Sequence, residues 1–482
     1  MSNSVKKDSS KHLSNFTRDF SVNHEEPPVE DDSQEGMSQR RILRNLFITS
    51  LCYLFFYTGY WCLGGLQSTM NSNDGIGDDS QAVINGMSLL SSLFLPDFLI
   101  AKFGSKKVLT ACTLLGCPYL AANMYLRWDT MIVTSVLYGL MNGPFVTAQA
   151  VYIEELASRF EKSVNQNIEV VMVSFFGVFT SFTESTYIFG NILVYYALKP
   201  NRVNNTFINE STTDDCGYYF KPYDNVTNSN LDPPLESQRQ LLVGTFAIFG
   251  ILSALILALF LDPLKNDLKE GSGGNFILNQ FLSAVKHLRN PHQILLVPIS
   301  IYAGMEGPFY LNEITQAYIA CFWGVHHVGI VTLFFGVGGA IMSLFVGPLV
   351  KYISQIAVII LGACLNVAIC LLLFLWKPSP ETTGIYFVIA GIWGMGDAIW
   401  WSQIPALYGL MFPKDREAGF SNLYFWSFFG SFLSYTYANY LSISVKINIL
   451  MASLLISMAC YLVGQFKMKC SARREYIAIG DD

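Results

Sequence analysis

Apolar residues in this chain fall into long continuous runs separated by short polar breaks. Each run is close to the ~20 residues that a helix needs to cross the hydrocarbon core of a bilayer. Twelve runs can be read: Leu43–Leu66, Ala82–Ala101, Val108–Leu126, Met131–Ile153, Val170–Leu198, Leu241–Leu261, Ile294–Thr315, Phe322–Gly347, Ile356–Trp376, Gly384–Leu410, Phe420–Tyr440 and Ile447–Phe466. Only Ala317–Cys321 separates the seventh from the eighth. A membrane β-barrel would show alternating segments of about ten residues. These runs are continuous and twice that length, so they predict helices. Pro118, Pro144, Gly304, Pro308, Gly336 and Pro405 lie inside them, which helices in lipid tolerate. The pattern predicts an all-α polytopic membrane protein with 12 transmembrane helices.

The polar segments give the runs an order. Residues 262–293 form a longer, more charged linker than most of the others. It divides the chain into six-helix halves, 43–261 and 294–466, the arrangement of large transporters around a central cavity. Residues 1–42 are polar, with Pro27 and Pro28, and read as a disordered tail. Residues 467–482 form a short second tail. With the N-terminus in the cytoplasm, 23 of the 30 Lys and Arg residues fall inside and 7 outside. That bias follows the positive-inside rule and puts both termini in the cytoplasm. The largest outside loop, 199–240, carries three sequons, at Asn204, Asn209 and Asn225, and is expected to be glycosylated. A further sequon at Asn15 lies in the cytoplasmic tail and should stay unmodified. Cys216 lies in the same outside loop; Cys62 and Cys321, both near outer helix ends, are equally open as its partner.

Composition narrows the function. Only 14% of the residues are charged, against about 25% in soluble proteins, as a bilayer requires. A net charge of −6 without a basic stripe argues against nucleic acid as a partner. The ten cysteines include no CxxC pair, so no metal site is expected. No phosphate-binding loop and no nucleophile triad can be recognised. The expectation is a protein that is not an enzyme, has no cofactor and has the lipid bilayer as its constant partner.

Four acidic residues stand out within or beside the runs. Ionisable groups at membrane depth are functional candidates. Glu154 precedes Glu155, Arg159 and Lys162, which places it at the cytoplasmic mouth in a structural role. Glu184 lies mid-run in Ser181-Phe-Thr-Glu-Ser-Thr186, a polar face expected to point inward. Glu306 lies in Gly304-Met-Glu-Gly-Pro308, where a broken or kinked helix would place a binding group. Asp397 follows Gly394-Met-Gly396, a pattern that suits close helix packing. A transporter would need Glu306 or Glu184 to face a central aqueous cavity. His326 and His327 read as interface histidines, and Trp400 and Trp401 as cavity or belt aromatics.

Several stretches resemble the UNC-93 family, its homolog A branch most of all. They are Asn85-Gly-Met-Ser-Leu-Leu-Ser-Ser-Leu-Phe-Leu-Pro96, Ile301-Tyr-Ala-Gly-Met-Glu306, Gly324-Val-His-His-Val-Gly329, Ala406-Leu-Tyr-Gly409 and Glu417-Ala-Gly-Phe-Ser-Asn422. The resemblance covers about residues 41–466 and implies a distant member of the major facilitator superfamily. That superfamily's gate-loop motif, Gly-x-x-x-Asp-Arg-x-Gly-Arg-Lys, survives here as Asp97-Phe-Leu-Ile-Ala-Lys-Phe-Gly-Ser-Lys-Lys107. Gly104, Lys106 and Lys107 match it. Asp97 stands at the first Gly position, Ala101 at the Asp position and Lys102 at the Arg position, so ordinary gating is in doubt. The resemblance implies a regulator of an ion channel, with a potassium channel subunit or another membrane protein as partner. The alternatives are a solute transporter and an escort factor for other membrane proteins. The plasma membrane is the expected location, with an endosomal or lysosomal membrane as the alternative.

Overall fold

The computed structural model describes residues 37–66, 76–164, 166–198, 216–221, 235–264, 282–379 and 382–480, and the regular structure among them is helical. The predicted tail lies outside them up to residue 36, as do Asn204, Asn209 and Asn225.

The first group of helices is α1 (Gln39–Gly64), α2 (Ile76–Phe94), α3 (Pro96–Phe103), α4 (Ser105–Ala122), α5 (Trp128–Val164), α6 (Ile168–Leu198) and α7 (Glu236–Phe260). The second begins with α8 (Pro291–Pro308), which continues through a π-helical stretch, Phe309–Ala320, to Cys321–Trp323. It goes on with α9 (Val325–Tyr352), α10 (Gln355–Leu375), α11 (Gly384–Met411), α12 (Arg416–Tyr437) and α13 (Ile443–Gly480). Each predicted apolar run falls on these helices, the second divided between α2 and α3 and the eighth beginning before the break at Gly324. Among the described residues eight helices are long and apolar enough to cross a membrane, or nine if the bent pair α2 and α3 is one span. Helices α4, α11 and α12 fall outside that set.

Four boundaries differ from the expectation. The second run is bent by 59° where α2 gives way to α3; Pro96, at the start of α3, has no N–H to continue the ladder. The fourth run continues as helix through Glu154 and Glu155 to Val164. The expected break at Ala317–Cys321 is helical, and the turn comes at Gly324. Gly324 has φ 95°, a conformation that favours glycine. The last helix runs on to Gly480, through most of the predicted tail.

The π-helical stretch begins immediately after Pro308. Proline cannot donate to the helical ladder, and wider turns re-satisfy groups freed in this way. The two groups of helices meet chiefly through α6, packed against α9 and α11, and through α2, packed against α12.

Cys216 is bonded to Cys321, with a Cα–Cα distance of 5.8 Å, while Cys62 is a buried free thiol. The segment 216–221 is also held by backbone hydrogen bonds. Gly217 N–H donates to the Ala317 carbonyl at 2.8 Å, and Ile443 N–H donates to the Phe220 carbonyl at 3.2 Å. Tyr218 packs on Phe374 with ring centroids 4.9 Å apart. A loop belonging to the first group is therefore fastened to the second. The bond spans 105 residues, and links of that length contribute about 4–5 kcal/mol by constraining the unfolded chain. Cys216→Ser should therefore lower the melting temperature in detergent, and Cys321→Ser by the same amount. Unequal losses would mean that one of the thiols has another role.

Candidate functional site

Two members of the polar run in α6, Ser181 and Glu184, meet a neighbouring helix. Ser181 donates to the Ala340 carbonyl at 3.1 Å, and Glu184 is buried against α9. Its pocket exists because residue 339 is glycine: a Cβ there would overlap Glu184 Oε2. From α8, Glu306 arrives fully buried, and Asn366 Nδ2 of α10 donates to its Oε1 at 3.1 Å. From α11, Asp397 lies between them, in hydrogen-bonding reach of both Glu184 and Glu306. The Trp401 indole completes its shell. Gly396 allows Asn366 to approach, since a Cβ on it would overlap Asn366 Oδ1.

Sequence positions 184, 306 and 397 thus converge on one point between the two groups of helices. The surroundings are aromatic. Tyr302 packs edge-on against Trp400 at 5.4 Å, and Tyr187 against Phe335 at 4.8 Å. Glu306 and Glu184 are 0% and 3% exposed, so neither faces a central aqueous cavity. Large aromatic side chains pack around them, so the condition set for a transporter is not met in this conformation. A small cleft lies beyond Tyr187, lined also by Trp61, Asn191, Leu311, Thr315 and Thr332 among others.

A second cluster joins the groups toward the disulfide-bearing end of α8. Lys446 is 0% exposed and donates to Glu313 Oε2 at 2.5 Å and to the Ala438 carbonyl at 2.5 Å. Asp78 from the start of α2 is buried beside them, close to Asn439. Glu313 meets the criterion that singled out Glu306, an ionisable group inside an apolar run. The sign of Asp78 and Lys446 was readable, but their burial was not, because both sit at run edges that read as loops.

The third cluster lies at the opposite end. Glu154 is nearly buried and accepts from Arg416 Nη1 at 2.8 Å. Arg416 also contacts Glu155, which Arg159 holds at 2.7 Å. Arg416 belongs to α12 and the two glutamates to α5, so this ion pair crosses between the groups. Asp97 makes a similar crossing: it is buried and accepts from Ser421 of α12 at 3.1 Å. The gate-loop remnant thus keeps an acidic contact, displaced by four positions from the lost one. Gly104 has φ 78° and turns α3 into α4. Lys102 lies over the Phe98 and Phe103 rings, both at 5.4 Å. Lys107 is exposed and Lys106 half-buried. Nearby, Asp262 accepts from Arg41 at 2.7 Å and from Arg44 at 2.5 Å, and the Arg41 guanidinium holds its carboxyl down at about 2.

His327 stacks on Trp323 at 4.1 Å, within its own turn of chain. Among the described residues no cluster of His, Cys, Asp and Glu has a metal-binding arrangement.

A helical fold with polar contacts between two groups of helices defines a membrane protein of the transporter-fold class. Solved structures agree. The human organic anion transporter MFSD10 (TETRAN) matches with a TM-score of 0.57 at 11% identity, over 87% of this chain and 99% of that one. The nucleoside transporter NupG matches with a TM-score of 0.54 at 11% identity, with the same coverage. At that identity the likeness shows the fold alone.

The family model "Ion channel regulatory protein UNC-93" matches residues 67–462, and the chain belongs to the UNC-93 family. Protein unc-93 homolog A of Xenopus laevis is 33% identical over 426 residues, 87% of this chain and 92% of that protein. The human protein of the same name is 30% identical over 427 residues, with 87% and 93% covered. A Caenorhabditis elegans relative, "Putative potassium channel regulatory protein unc-93", is 28% identical over 431 residues, 88% of this chain and 61% of that protein. Members of these families are non-catalytic, so the protein is not an enzyme.

Proposed function

We propose that this protein is a non-enzymatic regulator of an ion channel, built on twelve spans in two six-helix halves. The observation that carries the reading is the sealed centre. Glu184, Glu306 and Asp397 are closed off by aromatic packing; Arg416 pairs with Glu154 across the junction at one end, and Asp78 of the first group is buried beside the Glu313–Lys446 pair of the second at the other. A scaffold without an open route suits a partner role better than continuous passage of solute. The family model's description and the name of the worm relative favour a channel, and a potassium channel in particular, as that partner. The Cys216–Cys321 bond supports an outside location for the loop that bears Asn204, Asn209 and Asn225, because disulfides persist in oxidising compartments. With that loop outside, both termini are cytoplasmic and the plasma membrane is the working location.

Co-expression with potassium-channel subunits tests the reading. The expected result is an altered current and recovery of channel subunits with the affinity-purified chain from native membranes. Unchanged current and no channel subunit recovered, with solute uptake into liposomes bearing the purified chain, would overturn it. Solute transport is the second reading. It is favoured by the non-covalent character of the contacts at both ends, Arg416 with Glu154 and Asp78 beside Glu313 and Lys446, which could exchange between conformations.

A further inference from the structure

We propose that Glu184, Glu306 and Asp397 form one proton-binding site that joins the two groups of helices when it is loaded and loosens them when it is emptied. The argument starts from the count of charges. Three carboxyl groups meet in a dry space, each at least 95% buried. Asp397 lies in hydrogen-bonding reach of both others. A carboxylate only accepts hydrogen bonds, so two carboxyls in contact need a proton between them. Like charges at such a distance cannot both ionise without a cation.

No cation is in place to replace the proton. The groups that face the cluster are Tyr187 from α6, Tyr302 from α8, Asn366 and Cys370 from α10, and Trp401 from α11. Helix α9 contributes the bare backbone of Gly339. No Lys, Arg or His of the described residues acts on any of the three carboxyls. Asn366 and Trp401 supply one donor each. The Oε2 atoms of Glu184 and Glu306 find no donor among the neighbouring described groups, which leaves them to the protons that the cluster itself carries.

The placement turns proton occupancy into a mechanical signal. Glu184 stands on the first group of helices, while Glu306 and Asp397 stand on the second. Loaded with protons, the site is neutral and its hydrogen bonds cross the junction. When an O–H bond breaks and the proton leaves to water, like charges face each other across the same junction. Separation of α6 from α8 and α11, with entry of water, then relieves the repulsion. Each proton released on opening shifts the opening equilibrium about tenfold per pH unit.

The test uses the full chain reconstituted in lipid, with two readouts. Infrared spectroscopy follows the carboxylic-acid C=O stretch. Hydrogen–deuterium exchange of α6 and α11, corrected for the chemical exchange rate, follows opening. The wild type should show the acid band at neutral pH and lose it in alkaline buffer, while exchange of both helices rises by about tenfold per pH unit or more. The Glu184→Gln, Glu306→Gln, Asp397→Asn triple variant keeps shape and hydrogen bonding without the charge. It should lack that band and show exchange independent of pH. Single variants should each remove part of the band, so the assignment stands even if the triple variant fails to fold. Absence of the acid band from the wild type at neutral pH would overturn the proposal. So would an unchanged exchange profile in a folded triple variant. Neither result depends on whether a channel is the partner.

Discussion

Lys446→Met is expected to destabilise the protein by about 3–5 kcal/mol, the usual cost of leaving one buried charge without its partner. The ammonium group is fully buried, and Glu313 beside it is 3% exposed. Removing the lysine strands the carboxylate and also leaves the Ala438 carbonyl without this donor. Asp78 adds a second acidic group to the same space. The Lys446→Met, Glu313→Gln double variant should recover most of the loss, because it removes both charges and keeps the volume. Thermal unfolding in detergent measures both variants against the wild type. A double variant as unstable as the single one would show that the loss comes from packing rather than from charge.

Gly304→Ala should also be damaging, for a steric reason. The added methyl would overlap the Ser427 carbonyl oxygen and lie against that residue's Cα. These are backbone atoms, so no rotamer change makes room, and α8 must move away from α12. Overpacking of this kind costs about 1–3 kcal/mol, occasionally more. The displacement would also pull on Ser431, which donates to the Gly304 carbonyl at 2.7 Å. Gly384→Ala provides the control, since a Cβ there meets nothing within 4 Å. Melting temperatures should fall sharply for the first and hardly at all for the second. Equal effects would mean that the close approach of α8 and α12 does not limit stability.

The helices were legible in the sequence because hydrophobic run length reports directly on membrane depth. Their ends were less so. Gly324 rather than Ala317–Cys321 breaks the chain after α8, since a left-handed turn depends on one residue's backbone and leaves no trace in average hydropathy. Glu184, Glu306 and Asp397 were visible singly as carboxyls in apolar runs. Their convergence was not, because it depends on the rotation of three helices that are distant in sequence. Arg416 was hidden for the opposite reason: it sits in a polar loop where a charge attracts no notice, yet it ties α12 to α5. Asp97 read as a departure from a motif, and its contact with Ser421 shows that the departure still closes the same seam.

The bond between Cys216 and Cys321 acts as a short leash for carbohydrate. Asn209 lies seven residues before the anchor and Asn225 nine after it. At full extension those stretches reach about 25 Å and 32 Å. Any glycan carried on either asparagine would be attached within those distances of the end of α8, to which Cys216 is bonded. It would spread there like an awning over one face of the protein. With such a glycan in place, a partner approaching from that side would meet sugar first, and one approaching through the plane of the lipid would not.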